Sequence, residues 1–268
     1  MKKIFLTMVL IFIFISTLSY SALADKLKGL SPQQIESKMK ELLVIGKTDD
    51  NEEILREYID FLGSYEIPEK YIEKDLLGSC RYKENDKNYP KANETFNSLG
   101  YKVEVEDEEY ITIDYNKLIK KYNRYISNKF LDYLVIMSAD TMYGDAEIIV
   151  EYDYIFKYIV KCDEFLIDAD IKYKNEVNKI EQFRRILIIM YFIGLDNKPV
   201  FELEINKITD KKIIKSYKNS IKNYGMTKTG KLLQEYYNIL IKSRFCYTKE
   251  VKYFLEKNKI GFQFEEFE

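Results

Sequence analysis

The sequence predicts a mostly α protein, an irregular helical domain of antiparallel helix hairpins with one small β-hairpin at about 101–114. Three observations predict it. Apolar residues recur at the three- and four-residue spacing of amphipathic helices in segment after segment. Those segments are bounded by helix punctuation, with Ser, Thr, Asp or Pro at the starts and Gly at several ends. Period-two alternation stands out in one place, Tyr101–Val105 and Tyr110–Asp114, with an acidic turn between.

The first element is a leader. Lys2 and Lys3 supply positive charge, Ile4 to Ile15 form an apolar run of twelve residues, and a small, polar stretch then ends in Ala22-Leu23-Ala24. These are the parts of a secretory signal in their working order, with small side chains where a signal peptidase has narrow pockets. A membrane-spanning helix wants about 20 apolar residues. Residues 1–24 are therefore expected to be a cleavable signal peptide, with the mature chain starting near Asp25. No Cys stands near this point to carry a lipid anchor.

Residues 25–78 read as a small helical N-terminal unit. Ser31-Pro32-Gln33-Gln34 brings an N-cap, a Pro at the first helical position and a capping-box Gln. Ile35, Met39, Leu42 and Leu43 then share a face up to Gly46. Asp50 with Glu53 repeats the box before Ile54, Leu55, Tyr58, Ile59 and Leu62, and Gly63 closes that run. Pro68 to Leu77 reads as a third short helix. Residues 79–100 lack periodicity and hold Pro90, so they read as a linker.

Residues 101–268 are expected to hold the hairpin and a main helical domain, with helices at about 115–125, 128–139, 145–166, 174–193, 210–223, 228–244 and 248–258. The 145–166 segment carries Ile148, Ile149, Tyr152, Ile155, Phe156, Ile159 and Val160 at helical spacing. The apolar run Ile186 to Ile193 is too short to cross a bilayer and suits a helix buried on most sides. Residues 195–208 form a connector around Pro199, part of it extended. No fixed-period repeat is visible.

Composition removes whole classes of function. The 268 residues contain 42 basic and 44 acidic side chains, interspersed, for a net charge of −2. A nucleic-acid partner would want a Lys/Arg-rich face, and no basic block exists; no membrane span is expected once the leader is removed. There is no His, which excludes Ser-His-Asp and Cys-His catalysis and His-ligated zinc. There is no Trp for a sugar-stacking platform, although 24 Tyr could substitute in part. Cys80, Cys162 and Cys246 are odd in number and far apart, so they form no disulfide framework.

Several constellations invite a chemical reading. Gly225-Met-Thr-Lys-Thr-Gly230-Lys231 fills seven positions of a phosphate-cradling loop, but Leu232 replaces the hydroxyl that holds magnesium and the segment before it reads as helix. Gly225 ending one helix and Thr227 or Thr229 capping the next explains it better. Asp140, Asp145 and Glu147, and likewise Asp168 and Asp170, make carboxylate-rich turns without the calcium-loop pattern; capping accounts for Asp145 and Glu147. Glu104 to Glu109 reads as a solvated turn. Tyr115, Tyr122 and Tyr125, then Tyr152, Tyr154 and Tyr158, then Tyr236 and Tyr237 could line a groove, or sit at the edge of the core with their hydroxyls in water. Asn93-Glu94-Thr95 fits a glycosylation sequon, to which we attach no role.

The stretch Glu176 to Tyr217, with Tyr191-Phe-Ile-Gly-Leu-Asp-Asn-Lys-Pro-Val-Phe201 at its centre, resembles a segment of uncharacterised exported, mostly helical proteins of low-GC bacteria. The hairpin leading into Ile113-Asp114-Tyr115 is similar to theirs. The resemblance implies an extracytoplasmic helical protein and supplies no activity or site residues.

The expected function is that of an exported bacterial binding or interaction protein of the cell envelope or exterior, with a protein, peptide or glycan partner. The alternative is a carboxylate-dependent hydrolase acting on wall glycan or peptide, since two carboxylates can cleave a glycosidic bond without His. The sequence nominates no catalytic or binding residue and no metal ligand, and it calls for no cofactor.

Overall fold

Helices begin where a side chain can take up the free amides of a first turn. The computed structural model describes residues 22–64, 97–105, 109–139, 142–144 and 147–261; the leader's apolar run, the expected helix 68–77 and most of the linker lie outside these. Ser31, Asp114, Ser127, Asp210, Thr227 and Thr248 each accept a hydrogen bond from a first-turn amide. The fold is mostly α with a small β-hairpin, as the periodicity predicts. It divides into two compact units, 1–138 and 139–268.

The first unit contains α1 (Ala22–Leu27), α2 (Pro32–Leu42), α3 (Thr48–Ser64), β1 (Tyr101–Val105), β2 (Glu109–Ile113), α4 (Tyr115–Tyr122) and α5 (Asn128–Met137). The capping box at Ser31 and Gln34 forms in full. That expected at Asp50 and Glu53 does not, because α3 already starts at Thr48. The neighbouring pair matters instead. Asn51 is buried, accepts from Val44 N (3.0 Å) and donates to Val44 O (2.6 Å) and Tyr125 O (3.0 Å). Glu52, also buried, accepts from Ser127 N at 2.9 Å. Two turns that expose backbone groups are thus satisfied from one helix face.

The hairpin pairs Tyr101 with Ile113 through Val105 with Glu109. Residues 97–99, expected to belong to the linker, are helical, and they lead through Gly100 at φ 104° into β1. Tyr101 donates its hydroxyl to Leu62 O and Tyr58 donates to Leu99 O, both at 2.6 Å. The hairpin therefore packs with α3 and belongs to the first unit.

The second unit contains β3 (Tyr143–Gly144), β4 (Glu147–Ile148), α6 (Tyr152–Ile167), α7 (Lys174–Phe192), β5 (Gly194–Leu195), β6 (Lys198–Pro199), α8 (Lys211–Tyr224), α9 (Lys228–Lys242) and α10 (Lys249–Lys257). The helix expected from 145 starts only at Tyr152. Tyr143–Gly144 pairs antiparallel with Glu147–Ile148; Ile148 is buried and the next residue, Ile149, is exposed. That alternation belongs to a strand, and it corrects the helical reading of Ile148 and Ile149 and the capping role assigned to Glu147. Glu147 faces Lys198 at 3.1 Å instead.

Helices α6, α7, α8 and α9 surround a core of Phe156, Tyr191, Phe192, Tyr217, Leu233 and Tyr236, all fully buried. Tyr191 sits at its centre, with ring centroids 4.9 Å from Phe156 and 5.2 Å from Tyr217. The apolar run ending α7 lies among these rings, as its hydropathy requires. After it the chain turns at Gly194, φ 88°, where a Cβ would stand 2.4 Å from Lys198 O. Only glycine permits that approach. Among the described residues, no helix is long and apolar enough to cross a membrane.

Candidate functional site

The connector after Pro199 forms a small protruding hairpin. Val200 and Phe201 are buried, residues 202–207 are all exposed, and Ile208 is buried again. Glu202 donates its amide to Lys207 O at 3.0 Å and Asn206 donates to Glu202 O at 2.7 Å, closing a four-residue tip, Leu203-Glu204-Ile205-Asn206. Asn206 holds φ 50°, which its short polar side chain tolerates. Leu203 is 78% and Ile205 53% exposed.

A second strained turn supports this tip. At the end of α9, Arg244 donates its amide to Ile241 O at 3.1 Å and Phe245 donates to Leu240 O at 2.7 Å, a Schellman arrangement. Its left-handed position is usually Gly; here it is Arg244 at φ 55°, and Phe245 follows at φ 63°. Each such residue costs on the order of 1–2 kcal/mol. The return is geometric. Phe245 O accepts from Ile208 N at 2.9 Å, Tyr247 donates its amide to Asn206 O at 2.7 Å, and the Tyr247 ring stands edge-on to Phe201 at 5.1 Å. Tyr247, 41% exposed, extends the apolar surface of the tip. Three of the four non-glycine residues with positive φ among the described residues lie in this pair of turns. Strain concentrated at one exposed place is a pointer to function.

Sequence alone did not single out Leu203 or Ile205. A signal was present in Phe201-Glu-Leu-Glu-Ile205, which alternates at period two. Read so, it gives an extended segment, as expected for part of 195–208, but not that its apolar residues after Phe201 would face outward.

The constellations taken from the sequence resolve into structure. In the glycine-rich segment, Gly225 ends α8 and Thr227 caps α9. A Cβ on Gly230 would stand 1.9 Å from Tyr224 O, so the second glycine serves close helix–turn packing. Thr229 is buried in a polar cluster. It donates its hydroxyl to Asp163 Oδ2 at 2.6 Å, and Arg184 donates to Asp163 Oδ1 (2.6 Å) and Thr229 Oγ1 (2.9 Å). This joins α6, α7 and α9 through one carboxylate.

Asp170 accepts from Ile171 N and caps a short 3₁₀ turn, and Asp168 ends α6. Asp140, Asp145, the acidic turn 106–108 and the Asn93 sequon lie outside the described residues. Among the described residues, no group of three or more His, Cys, Asp or Glu side chains is placed to hold a metal ion.

The tyrosines divide between core and surface: Tyr115, Tyr125 and Tyr154 are half-buried, Tyr122 and Tyr125 border a shallow depression in the first unit, and Tyr152 borders one in the second. Tyr122, Tyr152, Tyr158, Tyr236 and Tyr237 are buried. Tyr236 donates its hydroxyl to Phe192 O at 3.2 Å, not to water. Burial pushes the phenols of Tyr58, Tyr152, Tyr191, Tyr217 and Tyr236 well above their ordinary value, and that of Tyr122 to about 12.

Each unit also carries a shallow depression. One, of about 220 Å³, lies in the first unit beside Lys40, Lys121 and Arg124. Glu36 lies close by, 3.3 Å from Lys40 and 3.2 Å from Lys121. Burial raises its pKa, and the hydrogen bonds and charges of Lys121 and Lys40 outweigh that, leaving it below the ordinary value. The other, of about 210 Å³, lies in the second unit where Tyr152 meets Lys212 and Ser216. Cys162 and Cys246 carry free thiols, and burial pushes the Cys162 thiol up to about 12.

No protein-family model matches the chain, and neither a curated protein nor a solved structure matches it.

Proposed function

We propose that this is an exported bacterial protein that acts by binding, an interaction protein of the cell envelope or exterior. The exposed tip Leu203–Asn206 carries the reading. Aliphatic side chains held out by a strained and fully hydrogen-bonded support are a poor choice for stability alone. They suit a contact surface ordered before the partner arrives, which lowers the entropic cost of association. Export rests on residues 1–24, whose order of charge, apolar run and small residues fits a cleaved leader.

Three carboxylates are buried among the described residues, Glu52, Asp163 and Glu176; Glu176 stands in the first turn of α7, and the other two hold structural partners. Asp163 holds Arg184, and Glu52 holds the amide of Ser127.

Cleavage after Ala24 would cut α1, removing buried Leu23 and the hydrogen bond from its amide to Glu57. N-terminal sequencing of the protein recovered outside the cytoplasm is expected to start at Asp25; an intact Met1 in the membrane fraction would refute export with cleavage. For binding, the purified protein is incubated with peptidoglycan fragments, soluble glycans and a peptide library, and binding and product formation are scored separately. Saturable binding without turnover is expected. Turnover that disappears on changing one carboxylate to its amide, with folding intact, would replace this reading with the hydrolase.

A further inference from the structure

We infer that the tip of the 202–207 hairpin is a plug that seats Leu203 and Ile205 in an apolar cleft with a basic rim on another protein. The inference rests on the binding reading above and names the partner's chemistry. Three features carry it.

The first is the position of the apolar side chains. They stand at the outermost turn of the hairpin, while the residues flanking it, Phe201 and Ile208, are buried. A protruding apolar pair fits a concave partner, as anchor residues fit pockets at the centre of interfaces.

The second is rigidity. Backbone hydrogen bonds close the tip on itself through Glu202, Asn206 and Lys207, and others tie it to the turn after α9 through Ile208 and Tyr247. The tip therefore reaches its partner already shaped, and burying its two side chains appears in affinity with little ordering cost.

The third is charge. Glu202 and Glu204 alternate with Leu203 and Ile205, and both are exposed. Lys207 closes the hairpin opposite Glu202, and Arg244 belongs to the supporting turn rather than to the tip. An aliphatic tip that enters lipid is helped by Lys or Arg, since bacterial and cytoplasmic-type surfaces are anionic. Here the charges beside the aliphatic groups are the carboxylates of Glu202 and Glu204, offset by Lys207 and the nearby Arg244, so the tip lacks the basic surplus that would draw it to an anionic bilayer. A protein cleft with Lys or Arg at its mouth complements the same pattern.

The test places a photo-crosslinking amino acid at Leu203, at Ile205 and, as a control on the same unit, at Ile171, which is 90% exposed. The full chain is produced in cells and irradiated. One and the same protein adduct is expected from the first two positions and not from the third, with the attachment in an apolar segment flanked by Lys or Arg. Against that purified partner, Leu203→Ser and Ile205→Ser should each weaken binding roughly tenfold or more. Glu204→Lys should weaken it, and added salt should then matter less than for the unaltered chain.

Adducts of similar yield from position 171, an adduct of the chain with itself, or an attachment site without basic neighbours would overturn the inference. So would co-sedimentation with phosphatidylglycerol vesicles that Leu203→Ser abolishes. If the tip gives no adduct while crosslinkers elsewhere on the surface do, the plug is wrong and the binding reading stands. If no surface position gives an adduct and no glycan or peptide binds, both fall together.

Discussion

Asp163 shows how a buried charge is held in this fold. Its two oxygens are shared between the Arg184 guanidinium and the Thr229 hydroxyl, with Thr229 N at 3.3 Å from the second oxygen. Removing the carboxylate leaves Arg184, largely covered itself, without its counter-charge. Asp163→Ala is therefore expected to cost about 3 kcal/mol, and Thr229→Val, which leaves the ion pair, about 1–2 kcal/mol. Denaturant midpoints at constant slope measure both, and a double-mutant cycle with Arg184→Met should show coupling between positions 163 and 184. Additive effects would mean that the pair contributes nothing jointly. The neighbouring Cys162 is fully buried, and burial, against the opposing pull of the Arg184 charge, raises its pKa from 9.0 to about 12. In the native state it should resist alkylation at mildly alkaline pH that labels Cys246, and become reactive on unfolding. The sign for stability follows. The protonated thiol supports the fold fully below 9.0, and that support is lost as pH rises through about 12. Tyr122, raised from 10.0 to about 12, acts in the same direction over a slightly higher window. Stability should therefore fall on the alkaline side, measured as a melting temperature against pH, and a flat profile up to pH 12 would contradict both shifts.

At the scale of elements, helix starts were legible because their signals are local. Ser31 with Gln34 and Thr227 cap where the sequence places them, since an N-cap needs only one side chain and the amides three residues on. Helix ends were less legible, because they depend on backbone conformation that many residues can be forced to adopt. Gly46 was expected to end α2, yet the helix stops at Leu42 and Gly46 takes its left-handed conformation in the turn beyond. Conversely, α9 and α10 end through Arg244 and Lys259, both at positive φ without being glycine. Nothing in their chemistry announces this. Lys259 donates to Glu256 O at 3.0 Å and Ile260 to Leu255 O at 2.8 Å, so the Schellman geometry is complete and only the side chain is strained. Lys259→Gly is expected to raise stability by about 1 kcal/mol, because glycine enters this conformation without the Cβ penalty. Thermal unfolding tests it. A loss of stability would show that the lysine stem packs usefully over the end of α10. The β3–β4 pair was missed for a different reason: with two residues per strand, Ile148 and Ile149 fit a helical spacing equally well, and only tertiary burial of one and exposure of the other decides.

For the whole molecule, class was legible and organisation only partly so. Pattern and caps specify that the chain is helical, but which helices pack together depends on long-range contacts that no local spacing records. The hairpin at 101–113 lies with α3 because Tyr101 and Tyr58 exchange hydrogen bonds with backbone on either side, residues separated by about 40 positions in sequence. The candidate surface was illegible for a related reason: exposure of Leu203 and Ile205 follows from the path of the chain between two buried anchors. The division at Ser138 yields the last prediction. Residues 139–268 contain their own closed core, in which Tyr191 packs against Phe156, Phe192 and Tyr217, and its hydroxyl donates to Ser220 Oγ at 3.0 Å. The length, near 130 residues, falls where a single core commonly buries enough surface to be stable alone. A chain beginning at Ala139 should therefore fold cooperatively, with helical circular dichroism and the same protection of Cys162 against alkylation as in the full chain. The thiol is the informative probe, because helix content can persist in a loosely packed state whereas protection of a fully buried side chain requires the native core. Helical signal with a reactive Cys162 would mean that the second unit acquires its packing only in the presence of the first.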